Sequence, residues 1–149
     1  MKKVFRLIDA ICEARENKNF SPQEGTTFCN VAVNYIAQRV GYEALQGKIA
    51  NEIVDFLAAS RDWLKIEPDV AQYHANNGGL VIAGWKNLAG HGHVAVVRPG
   101  EFATSAKLKS DKVPKVLNIG TTIALDKGAN YAFGEMPNYF VLKSSISDE

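Results

Sequence analysis

Apolar residues recur every three to four positions through the first half of the chain and gather in short unbroken runs through the second. Val4, Leu7, Ile8, Ile11 and Cys12 make one stripe of a helix over residues 3–16, which predicts a buried Cys12. Pro22 and Gly25 mark residues 17–25 as a loop. A second helix is predicted over about residues 28–40, with Val33, Ile36, Ala37 and Val40 on one face and Gly41 at its end. A third, over about residues 48–59, carries Ile49, Ile53, Phe56 and Leu57 in a stripe, and Pro68 opens a short fourth helix that Asn77-Gly78-Gly79 closes.

After Gly79 the period changes. Leu80–Ala83, His93–Val97, Lys115–Ile119 and Tyr139–Leu142 are short apolar runs bounded by Gly, Pro or Asn, the signature of strands. Helices followed by a strand-rich half predict an α+β fold, with an antiparallel sheet of at least four strands packed on the second helix. With 149 residues, 46% of them hydrophobic, the chain is long enough to bury roughly two-thirds of its unfolded surface. A single domain over residues 1–149 is therefore expected. The sequence shows no internal repeat, low-complexity tract or linker.

A formal net charge of +1 supplies no general pull toward nucleic acid or an anionic membrane. Lys107, Lys109, Lys112 and Lys115 read as a solvated loop. Arg6, Asp9, Glu13 and Arg15 interrupt the apolar run that a secretion signal would need after Met1-Lys2-Lys3. No stretch reaches the ~20 apolar residues of a membrane span. The expectation is synthesis in the cytoplasm without a signal peptide and no membrane insertion, so that any action outside depends on delivery by other means.

Two cysteines are too few for a disulfide framework in a domain of this size. Cys29 follows the polar residues Gly25, Thr26 and Thr27 and enters an apolar helical segment, so its sulfur belongs in a helix's first turn. Unpaired N–H groups and the positive end of the helix dipole favour thiolate there, and a partly exposed, reactive Cys29 is expected. His93 opens the strand-like run Val94–Val97, held where it can act as a base within about 4 Å of the thiol. His91, between two glycines, is the freer histidine, a candidate to support the base or to contact substrate. Asn118 can accept a hydrogen bond from the far nitrogen of His93 and so select its tautomer, and Gln23 can lend an N–H to an oxyanion hole. A zinc site built from His91, His93 and either His74 or Cys29 lacks a compelling fourth ligand, so no metal and no cofactor is expected.

Together, Thr27-Phe28-Cys29-Asn30, Ala50-Asn51-Glu52-Ile53 with Trp63 downstream, Gly79-Leu80-Val81-Ile82-Ala83-Gly84-Trp85, Gly92-His93-Val94-Ala95-Val96-Val97 and Pro114-Lys115-Val116-Leu117-Asn118-Ile119-Gly120 carry a resemblance. The set, from about residue 25 to residue 120, resembles the NlpC/P60 and CHAP group of papain-like hydrolases, in the variants found in phage lysis proteins and in amidase effectors of bacterial secretion systems. Gly92–Val97 is its most specific element. The resemblance implies a papain-like domain that cleaves an amide bond of peptidoglycan, with Cys29 as nucleophile, His93 as base and Asn118 as the polar third residue. It implies peptidoglycan as the partner, with an immunity protein or a delivery apparatus as further candidates. Phe28-Cys29-Asn30-Val31 stands where the common NlpC/P60 pattern has Asp-Cys-Ser-Gly, which leaves the bond that is cut open. Two other classes stay in view: a thiol protease, deamidase or acyltransferase acting on proteins, and a catalytically inactive papain-like binding module.

Overall fold

In the computed structural model, which describes residues 2–22, 28–120, 123–125 and 127–146 without the side chain of Asn130, the first amphipathic stretch folds as helix α1 (Lys3–Glu16). Its buried stripe is Leu7, Ala10, Ile11 and Ala14, one step around the helix from the predicted one. Ile8 is 37% exposed and Cys12 is exposed, which corrects the expectation of a buried Cys12. The two alanines explain the rotation, because small side chains let α1 lie close to its neighbours along that line.

Helices α2 (Cys29–Arg39) and α3 (Ala50–Ala59) follow, and α4 (Pro68–Asn76) starts with proline, whose missing N–H costs nothing in a first turn. Strand β1 (Trp63–Ile66) lies between α3 and α4, in a segment that the apolar pattern leaves unassigned. Glu13 of α1 accepts from Tyr35 and Arg39 of α2, tying the two helices at their exposed seam.

The second half supplies β2 (Val81–Trp85), β3 (His93–Val97), β4 (Ala103–Ser105), β5 (Ser110–Val113), β6 (Val116–Ile119), β7 (Ile123–Ala124) and β8 (Asn138–Leu142), with the short helix α5 (Ala129–Phe133) before β8. An antiparallel sheet of six strands runs β1-β8-β2-β3-β6-β7, so the fold is α+β. Strands β4 and β5 form a separate hairpin, and the lysines at 107, 109 and 112 belong to it rather than to an open loop. Among the described residues no helix is long and apolar enough to cross a membrane.

Alternation along the strands divides the core into two layers. Leu80, Ile82, Val94, Val96, Leu117, Ile119, Phe140 and Leu142 pack with α1, α2 and α3, whereas Val81, Ala83, Ala95, Val97, Val116, Tyr139 and Val141 pack with α4 and α5. Burial of a Val, Ile or Leu side chain in these layers contributes roughly 1.5–3 kcal/mol.

Candidate active site

Cys29 is the first residue of α2, entered through Phe28 at φ −126° and ψ 32°. Its sulfur lies against the backbone N–H groups of Val94 and Asn30 and its own N–H, which favour the thiolate. Burial opposes them and wins: Cys29 is only 8% exposed, and its thiol is pushed above the ordinary range. This corrects the expectation of a partly exposed, acidic thiol. The sulfur packs in the α1–α3 layer, where the charged form loses its water.

His93 is the first residue of β3, paired with Trp85 of β2. Its Nε2 lies 2.6 Å from Asn118 Oδ1 on the neighbouring strand β6. With Oδ1 as acceptor, Nε2 carries the proton and Nδ1 keeps its lone pair. Asn118 is 7% exposed, and the Phe133 ring lies 4.8 Å from the imidazole, centroid to centroid. Desolvation lowers the His93 pKa below the ordinary histidine value, with the Asn118 hydrogen bond acting in the opposite sense.

Cys29 and His93 sit on elements that pack together, α2 and β3, but among the described residues no hydrogen bond joins the thiol to the imidazole, so the expected direct pairing is not seen. The hydrogen-bonding neighbours of the sulfur are backbone N–H groups, and that of the imidazole is Asn118. Val94 points into the α1–α3 layer, so alternation turns His93 toward the opposite side of the sheet, where Phe133 packs. One peptide separates the residue that carries the imidazole from the N–H that touches the sulfur.

A cleft of about 220 Å³ opens over Cys29. Cys29 and Asn30 line it from α2, residues 49–51 from the start of α3, and Gly90, His91 and Gly92 from the loop before β3. His91 lies just before the strand and stands exposed on the cleft wall. Gln23, the oxyanion candidate, lies outside the described residues.

Sequence reading missed Phe133, because five residues of α5 are too few to show a period. It also missed the tertiary role of Asn51, which donates to Asn87 O (2.9 Å) and Gly90 O (3.0 Å). The available signal was a polar residue ahead of an apolar stripe, which also describes an ordinary helix start. Neither any protein-family model nor any curated protein compared with the chain matches it.

Proposed function

We propose that this protein is a papain-like thiol hydrolase that cleaves an amide bond of peptidoglycan. The observation that carries the catalytic part is the 2.6 Å hydrogen bond between His93 Nε2 and Asn118 Oδ1, at the start of a strand packed against the helix whose first residue, Cys29, opens into a cleft. That bond holds the imidazole in the tautomer whose Nδ1 can take a proton. The substrate class rests on the resemblance of the Cys29, His93 and Asn118 segments to NlpC/P60 and CHAP hydrolases.

Burial keeps both partners neutral at rest, so the proposed chemistry is general-base catalysis rather than a standing ion pair. The Cys29 proton passes to His93 Nδ1 as the sulfur attacks the amide carbonyl. The tetrahedral intermediate collapses as His93 returns that proton to the departing amine, leaving an acyl thioester. Water, deprotonated by His93, then releases the carboxylic acid, and the proton goes back to the sulfur. The transfer requires the imidazole to reach the sulfur from the neighbouring strand, and catalytic hydrogen bonds commonly tighten only when substrate binds.

In this reading the enzyme acts in the periplasm or cell wall after delivery, with a delivery apparatus and an immunity protein as partners. Incubation with purified peptidoglycan and mass analysis of the fragments tests it. Fragments carrying one new amine and one new carboxyl group are expected from the wild type and none from Cys29→Ala. A folded wild type that releases nothing rules out the peptidoglycan reading and leaves a protein substrate or a binding module.

A further inference from the structure

We propose that Asn51 is the positioning residue of the histidine loop, residues 86–92, holding His91 on the cleft wall and setting the point at which β3 begins with His93. The proposal rests on the thiol-hydrolase reading above. An asparagine in a helix's first turn commonly satisfies its own helix's N–H groups. Here Glu52 Oε1 takes the Ile49 N–H at 3.0 Å, and Asn51 turns outward. Its Nδ2 donates to Asn87 O and to Gly90 O, and its Oδ1 accepts the Asn87 N–H at 2.9 Å. Asn87 extends the clamp, donating from Nδ2 to His91 O at 3.2 Å and accepting the Ala89 N–H at 3.1 Å.

Two features make this clamp the device that holds the loop. No apolar anchor does so at its tip, since Leu88 is 91% exposed. Gly92 is shaped to the clamp: a Cβ there would collide with Asn51 Oδ1 and lie 2.6 Å from Trp85 O. Both amide hydrogens of Asn51 are committed to the loop, so the residue acts through the histidines it places rather than by donating to substrate.

The test uses a Cys12→Ser background, in which Cys29 is the sole thiol, and follows iodoacetamide alkylation against pH, amide hydrogen exchange and peptidoglycan turnover. In the parent, alkylation should show an imidazole inflection besides the thiol titration. Asn51→Asp keeps the size and the acceptor but loses both donors. It should erase that inflection, speed exchange in residues 86–92 while α3 and β2 stay protected, and lower kcat about a hundredfold with KM moving less. Gly92→Ala breaks the same clamp from the loop side, so the double variant should be no worse than the more damaged single one, whereas independent structural effects would add. Unchanged loop exchange, or a retained inflection and kcat, in either folded single variant overturns the proposal. A parent without the imidazole inflection instead overturns the thiol-hydrolase reading, and loop exchange still decides whether Asn51 holds the loop.

Discussion

The two layers of the core are built on different principles, and the candidate site lies where they meet. On the α1–α3 side, Leu7, Ile11, Ile36, Ile53 and Leu57 interlock with Ile82, Val94, Val96, Leu117 and Ile119, a largely aliphatic layer in which Cys29 is the one ionisable residue among the described buried ones. Opposite, Ala71, Ala75, Ala83, Ala95 and Ala129 keep α4 and α5 close to the sheet, and buried polar groups are paired within reach of them. Gln72, at 2% exposure, donates to Arg98 O and Asn76 Oδ1 and accepts from Lys115 N–H. Asn118 completes the pairing with His93. A buried polar group costs little once bonded and much when orphaned. The imidazole–amide pair therefore suits the polar layer, and the thiol in the aliphatic layer keeps its proton.

The sharpest way to separate the layers is to remove the thiol of the aliphatic side. Cys29→Ala should abolish peptidoglycan cleavage, a loss of about 10⁴-fold or more, while the melting temperature stays near that of the wild type. A cavity in the same layer should do the reverse: Ile53→Ala is expected to cost about 2–5 kcal/mol in urea unfolding. Against it, Ala75→Val would overfill the thin layer at about 1–3 kcal/mol, and a neutral outcome would show that α4 is free to move outward.

Next in size is the link between the layers. Asn118→Ala should lower kcat about a hundredfold and move the His93 titration, followed by NMR of its ring protons, further down, because the bond that favours the charged ring is gone. The smallest effect is in pH dependence. The folded pKa of His93 lies below its unfolded value of about 6.5, so the unfolded chain binds the extra proton first. Stability contributed by the neutral ring is complete above that value and is lost as pH falls through the folded pKa. Urea unfolding against pH should show this decline, and His93→Phe should flatten it. The acid limb of kcat/KM should fall in the same window and the basic limb above the ordinary thiol range, since burial raises Cys29.

Much of the fold was legible in the chain because the signals are local. Lys3–Glu16, Pro68–Asn76 and His93–Val97 coincide with the predicted helices and strand, since period, proline and glycine act within a few residues. Strand β1, the β4–β5 hairpin and α5 are too short or too polar to show a period, and they owe their form to neighbours far along the chain.

The site divides in the same way. By itself the sequence determined that Cys29 starts a helix, that His93 starts a strand and that Asn118 lies on another strand, because each depends on adjacent residues. Only the tertiary structure decided that β3 and β6 pair so that Nε2 meets Oδ1, that Cys12 faces outward while Cys29 is buried, and that both titrating groups are held neutral. Register, burial and desolvation are sums over residues distant in sequence, and no local pattern contains them.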